Sequence, residues 1–516
     1  MPCSGSCSAH VGVPYGKLKA PDRYSSIGGY LAEEGFMAAM LAMTKRQALL
    51  SGAAFVGVTA MHSGARAAGE LPADAFHDPT HSAIQSRSEL IKHLGNDTRQ
   101  AQDKPRVVNG MFVTGLPMSL PELDDRIIEV MKAGAIPGVS LCISGNNGLV
   151  CTRGYGRASL VGNVPVEPTM PATIMSVSKP LTVAAALTLV RDRRLHLSDL
   201  AFTILRDPPL LAPGQSVDPR QSKIEVRHLM NHTSGLFNVV ETLNDPDRFQ
   251  RLAHQGAIKL IHGRIGQNDL VRVGMKERLL FGPGERFSYS GQGMQVLARI
   301  VEKVSGLRLD RYIQKQIFDP LGIRSYFVGS YLSDDQYRRY MKPNREQLYA
   351  MCPTLYDKDR KRQFAQDESN IGYVSWGQAD ACGWASLSAL DLLRFVSSFP
   401  TLVGPDLWQA TTERPWVVDD KGKRVQGDAG LGWFPTGGKG INHEGAWPGE
   451  RSFAERRADG ASFALAVNSE DDPHVDQIID VARQFSSKIK AAQPQFPTWQ
   501  EYGFPAIEPV APIGHP

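Results

Sequence analysis

Residues 171–191 read PATIMSVSKPLTVAAALTLVR. From Leu181 to Val190 the run is apolar on every side except at Thr182 and Thr188, the pattern of a helix covered all round. Proline is tolerated only in a helix's first turn, so Pro180 requires the helix to begin just before it, near Ser176. Ser176 then lies at a helix N-terminus, where free N–H groups and the dipole favour developing negative charge. Lys179 is three residues on and shares its face, within reach of the serine oxygen. Desolvation against the apolar helix would lower the lysine pKa and suit it to act as a general base. The plainer alternative is a helix cap and a snorkelling lysine. Ser487 and Lys490 repeat the S-x-x-K spacing at the end of an exposed C-terminal helix, and that copy is read as chance.

At 516 residues the chain can bury a large core around such a helix. Its 42% hydrophobic and 21% charged content are ordinary for a soluble globular protein. The net charge of +4 comes from 57 basic and 53 acidic residues, interspersed. No basic stripe points to nucleic acid. The six cysteines, Cys3, Cys7, Cys142, Cys151, Cys352 and Cys382, form no CxxC pair and no zinc spacing. Cys142 and Cys151 lie on two apolar runs, 138–143 and 149–152, joined by Gly145-Asn146-Asn147-Gly148. A turn between Asn146 and Asn147 would set the two thiols opposite each other, and a turn at Asn147-Gly148 would not. Two reduced core thiols is the expected state.

Residues 44–67 carry a basic start, an uncharged stretch from Ala48 to Met61 and the small-residue site Ala65-Arg66-Ala67, a secretory signal pattern. The stretch is too short to span a membrane, which takes about 20 apolar residues. Lys45-Arg46 ahead of a Gly/Ala-rich segment resembles a variant twin-arginine signal. Met43 is therefore read as the true start and residues 1–42 as an extension ahead of it, which makes the protein an exported one, periplasmic or secreted. Residues 68–118 are polar and aperiodic and are read as a linker. His77 and His81, with Pro79 between them, are read as loop histidines and not metal ligands.

Ser119 and Glu122 fit a capping box ahead of Leu123, Ile127, Ile128 and Met131 at helical spacing. The hairpin of 138–155 follows. Near the other end come a strand at 440–446, a strand pair turning at Ala458-Asp459-Gly460, and a final helix with Val475, Ile478, Ile479, Ala482 and Phe485 on one face. Strands at both ends and helical patterns between them predict an α+β fold: an antiparallel sheet flanked by helices, with an inserted all-helical subdomain. The tail, 491–516, holds six prolines and four aromatics and is expected to run over the surface.

Here the chain resembles the superfamily of serine β-lactamases, penicillin-binding proteins and family VIII esterases. Ser176-Val177-Ser178-Lys179 matches S-x-x-K. FGPGERFSYS (281–290) is similar to the segment that carries a tyrosine after a Pro-Gly turn, and INHEGAWPG (441–449) to the H-x-G version of the K-T-G strand. VRHLMNHTSGL (226–236) and CGWASLSALD (382–391) match two further stretches, in family order. The likeness covers roughly residues 119–490. It implies that Ser176 becomes acylated and that Lys179 and Tyr289 share the proton traffic. It also implies that the N–H groups of Ser176 and Ala446 form the oxyanion hole, that Gly445 leaves room for substrate along the strand, and that His443 binds substrate or orients Tyr289. It implies no metal and no organic cofactor. A G-x-S-x-G elbow is lacking, and Glu444 in H-E-G-A-W has no second zincin histidine.

Two departures bear on substrate. The family often has asparagine two residues after the tyrosine; here that position is Gly291, with Gln292 the nearest amide. Histidine at 443 replaces the lysine of K-T-G and removes a fixed positive charge for a substrate carboxylate. Cys382 also stands where relatives have glycine. These changes favour an esterase or amidase acting on small esters, amides or peptides. The alternatives are a D-Ala-D-Ala-type carboxypeptidase or β-lactamase, and a non-catalytic ligand-binding relative. Trp376, Trp384 and Trp447 are candidates for the pocket walls.

Overall fold

The apolar runs at the two ends of the chain meet in one sheet. The computed structural model describes residues 105–116, 120–145, 148–159, 163–206, 218–238, 260–261, 264–265, 267–328, 351, 354–356, 363–365, 380–383, 385–447, 449–469, 472–489 and 498–506. The signal-like pattern, His77, His81, Cys3, Cys7, Ser119, Asn146, Asn147, Cys352, Trp376, Trp384 and Lys490 lie outside them. Eleven strands position the site: β1 Arg106–Val108, β2 Met111–Thr114, β3 Gly138–Ser144, β4 Leu149–Gly156, β5 Pro171–Thr173, β6 Phe327–Val328, β7 Ala385–Ser388, β8 Phe434–Gly437, β9 Gly440–Trp447, β10 Glu450–Arg456 and β11 Ser462–Val467. The main sheet runs β1-β2-β4-β3-β11-β10-β9-β8, antiparallel throughout. Its centre is the pairing of β3 with β11, which joins the two halves of the chain.

Five helices build the two cores on the sheet's faces: α1 Pro121–Ala133, α2 Ser178–Arg191, α3 Gly291–Ser305 (packed on α2), α4 Ala389–Val403 and α5 Asp472–Lys488. On one face Leu123, Ile127 and Met131 of α1 and Val475, Ile478 and Ala482 of α5 meet Leu141, Ile143, Phe463 and Leu465. On the other, α2, α3 and α4 share a larger core with Cys142, Ile441, Ala454 and Ala464. A sheet covered on both faces explains why β3 and β4 are buried at every position. Each large apolar side chain so covered contributes roughly 1.5–3 kcal/mol. The fold class matches the expectation. The insertion is not all helix, however: β5, β7 and β6 form a small sheet of their own, and short two-stranded ladders occur at 260–265, 354–365 and 416–426. No helix among the described residues is long and apolar enough to cross a membrane.

Three local expectations change. The N-cap of α1 is Leu120, with no side-chain cap, and Pro121 opens the first turn. The segment read as a linker up to residue 118 supplies β1 and β2, which extend the sheet edge and bury Val113. The tail read as surface chain includes an anchor: Trp499, Tyr502 and Phe504 are buried, and Arg394 of α4 lies over Trp499 and Phe504 at 5.0 and 5.3 Å while donating to the Pro505 carbonyl.

The cysteine register has a physical explanation. Gly145 donates its N–H to Gly148 O and Ser144 lies opposite Leu149, the register that would bring Cys142 against Cys151. A bulge between Ile143 and Ser144 shifts the ladder, so Cys142 pairs with Thr152 and Cys151 with Ile143. The thiols point to opposite faces, into different cores, and both are free. Burial pushes Cys151 up to about 12 and raises Cys142 as well.

Candidate active site

Strand β5 delivers the chain to Ser176. β5 pairs with β7, and the Ile174 N–H donates to Ala385 O, which fixes the strand end. Met175 then turns with φ 45°, a left-handed conformation that costs a non-glycine residue of order 1 kcal/mol. A 3₁₀ turn over Met175–Val177 passes directly into α2. Ser176 sits in that turn, half-buried, with Pro180 in the first turn of α2 as its proline required.

Lys179 is 3% exposed. Its Nζ lies 2.9 Å from Ser176 Oγ and 2.9 Å from the carbonyl oxygen of Cys382. The 380–385 segment is itself tied down: Thr182 donates to Ala381 O, Gln295 Nε2 lies 3.7 Å from Cys382 Sγ, Arg299 bonds Asp380 at 2.7 Å, and Ala385 N donates to Ser178 Oγ. Cys382, unexplained by sequence, thus offers its carbonyl to the lysine and its sulfur to α3.

Tyr289 stacks under that amine, with Lys179 Nζ 4.7 Å from the ring centroid. The 226–236 stretch explains how the tyrosine is held. Gly284 N donates to Thr233 O, Ser288 N to His232 O, and Ser290 N to His232 Nδ1 at 3.1 Å. The His232 ring lies 4.6 Å from the Tyr289 ring, and burial first, then the Lys179 charge, keeps it neutral. Ser290 next caps α3 by accepting from Gly293 N. Gly291 is buried at the first position of α3 and has no side chain to offer. Gln292 does not take over the amide role: its Nε2 donates to Leu270 O at 3.1 Å, turned into the helix packing.

Strand β9 closes the site. A Cβ on Gly445 would fall 2.2 Å from Ile174 O, 2.6 Å from Ser452 Oγ and 3.0 Å from Ser176 N. The glycine therefore serves the close approach of β9 to the 174–176 turn. Ala446, exposed on the same strand, follows directly. His443 is 2% exposed, with Nδ1 2.8 Å from Glu444 O and its ring 6.4 Å from Tyr289. Burial and then the Lys179 charge push this imidazole down to about 3. Glu444 pairs with Arg451 on the other face, a strand residue as expected. Trp447 is partly buried against the core.

Sequence reading missed one carboxyl. Glu450, opposite Trp447 in the β9–β10 hairpin, is 4% exposed and bonded by the Thr173 side chain, three residues before Ser176. Burial raises its pKa to about 8. The folded state therefore holds a proton that the unfolded chain has released above the ordinary carboxyl range. The stability Glu450 contributes is present below about pH 4.5 and is lost progressively as pH rises through about 8. Glu450→Gln is expected to melt higher than the natural protein, with the gap widening from pH 5 to pH 8 to roughly 5 °C or more. Calorimetry across that range checks it, and a gap independent of pH counts against the assignment.

A half-buried serine bonded to a buried lysine at a helix start, beside a tyrosine and an H-x-G strand, defines the β-lactamase/transpeptidase class of fold and site. The chain belongs to the Beta-lactamase family, whose model matches residues 123–485. It is 27% identical over 350 residues to penicillin-binding protein 4* of Bacillus subtilis (strain 168), covering 63% of this chain and 66% of that protein, just under two thirds. It is 26% identical over 206 residues to protein flp of Staphylococcus aureus (strain MW2), covering 40% of this chain and 38% of the other. The octameric penicillin-binding protein homologue from Pyrococcus abyssi shares the fold, with a TM-score of 0.53 and 21% identity over 72% of this chain and 79% of that one.

Proposed function

We propose that this protein is an exported, carboxylesterase-like serine hydrolase that acts on esters or amides of small molecules through an acyl-enzyme on Ser176. The observation that carries the reading is the 2.9 Å contact of Lys179 Nζ with Ser176 Oγ at the start of a buried helix. Lys179 takes the serine proton as Oγ attacks the carbonyl carbon, and with Tyr289 returns it to the leaving group. Water then attacks the acyl-enzyme along the same proton route in reverse and releases the acid. The backbone N–H groups of Ser176 and Ala446 hold the oxyanion, each worth about 3 kcal/mol in the transition state. Export rests on the pattern at 44–67, outside the described residues.

The full chain, incubated with p-nitrophenyl butyrate and quenched in acid, is expected to carry one butyryl group on the peptide containing Ser176. Release of p-nitrophenol by Ser176→Ala at the natural protein's rate would remove Ser176 from its role. A second reading, a D-Ala-D-Ala-type carboxypeptidase or β-lactamase, draws support from the name of the Bacillus relative. A long-lived adduct with benzylpenicillin would favour the carboxypeptidase, and rapid turnover the β-lactamase. The retained Ser176, Lys179 and Tyr289 weigh against a non-catalytic binding protein.

A further inference from the structure

Alternate residues of a strand share a face, so Glu450, Ser452 and Ala454 of β10 point the same way. Ala454 lies in the core that α2 fills, and the other two meet the chain leading into that helix. Ser452 donates from Oγ to Ile174 O at 2.7 Å, and the Thr173 side chain bonds the Glu450 carboxyl. Two clasps thus fasten the β9–β10 hairpin to residues 173 and 174, just ahead of Ser176. Ala446, in the same hairpin, pairs with Arg451, the residue between the clasps. The spacing of the Ser176 and Ala446 N–H groups therefore depends on both contacts.

The clasp at Glu450 suits only a neutral carboxyl. Its Oε2 is buried with no hydrogen-bond partner among the described residues. Continuing the register of Arg451 with Val467 sets Asn468 across from it. Asn468 gives its amide N–H groups to Arg157 O and Ala158 O and keeps a bare, buried Oδ1. Arg451 points to the opposite face, to Glu444 and Asp476. Residues 171–178 and Trp447 bring no charged group. An ionised Glu450 would meet no cation there, and could regain water only by drawing the hairpin outward.

We propose that Glu450 is a positioning residue for the oxyanion hole: protonated, it keeps the β9–β10 hairpin against the Ser176 turn, and ionised, it lets the two separate, so that turnover falls on the alkaline side through this carboxyl. The inference rests on the reading of Ser176 as the nucleophile. Burial, the largest influence on the group, raises it to about 8. The proton is therefore present at neutral pH and leaves as pH rises through about 8.

The test is kcat and KM for p-nitrophenyl acetate at about pH 7 and about pH 9, in the natural protein and in Glu450→Gln, whose amide cannot ionise. The ratio of kcat at the higher pH to kcat at the lower is expected to be about tenfold greater in the variant, with KM moving alike in both. Lys179 and Tyr289 titrate in both proteins, so their effects cancel in the comparison. Glu450→Met, also neutral, takes its place if the amide variant fails to fold. Ser452→Ala loosens the neighbouring clasp and leaves the carboxyl in place, so it is expected to lower kcat at both pH values and keep the natural ratio. Equal ratios in the natural protein and the neutral variant overturn the proposal and leave the role of Ser176 intact. Loss of the natural protein's near-ultraviolet circular dichroism in step with kcat would make the fall global unfolding, and overturns it too. No turnover above a Ser176→Ala background in either protein overturns both readings.

Discussion

Lys179→Ala is expected to lower kcat/KM for p-nitrophenyl acetate by about 10³–10⁴-fold, with Ser176→Ala setting the floor. The lysine has one geometric job that no other described side chain can assume, since its Nζ is 2.9 Å from Ser176 Oγ and is oriented by the Cys382 carbonyl. Tyr289 stands beside it with Lys179 Nζ over its ring, and His232 and His443 are neutral rings whose Nδ1 atoms are already occupied. Lys179→Arg is expected to be no better than alanine, because a guanidinium does not give up its proton and its planar fork does not fit the point contact. Steady-state rates for the three variants check this. Activity in Lys179→Ala within tenfold of the natural protein would transfer the base role to Tyr289.

Removing residues 498–516 is expected to destabilise the protein by about 3–5 kcal/mol or more. The cost has two sources. Trp499, Tyr502 and Phe504 lose their burial, and Arg394, inside α4, loses both its aromatic cover and the Pro505 carbonyl it donates to. Gly322 leaves space for this segment, since a Cβ there would fall 2.4 Å from Pro505 Cδ. Thermal melting of the truncated chain and of Trp499→Ala in the full chain measures the effect, expected as a fall of roughly 10 °C for the truncation. A melting point changed by less than about 2 °C would mean that α4 is held by the sheet alone.

What could be read from sequence was local. Pro180 fixed the helix start and so put Ser176 and Lys179 one turn apart, but only the resemblance of five ordered stretches gave that pair a chemical role over a helix cap and a snorkelling lysine. The apolar hairpin at 138–155, the strand at 440–446 and the strand pair turning at 458–460 likewise declared a sheet with strands from both ends. What escaped depended on partners far away in the chain. The bulge that separates Cys142 from Cys151 is a property of the ladder and leaves no mark in either strand's pattern. Gly445 is explained by the backbone of residues 174–176, and Glu450 by Thr173, neither pair being near in sequence. The aromatic residues at 499–504 sit among prolines, which reads as irregular chain, and irregular chain can still be core when an arginine lies beneath it.

Helix α3 has a mechanical consequence. Its first turn grows out of the Tyr289 segment, while Gln295 and Arg299, one and two turns along, grip Cys382 and Asp380, the residues around the carbonyl that aims Lys179. One stiff rod therefore carries the seats of both Tyr289 and Lys179. When the insertion breathes against the sheet, phenol and amine should travel together, and the slack should appear between them and β9. Thermal motion would then modulate how the oxyanion is gripped while leaving the route of the proton intact.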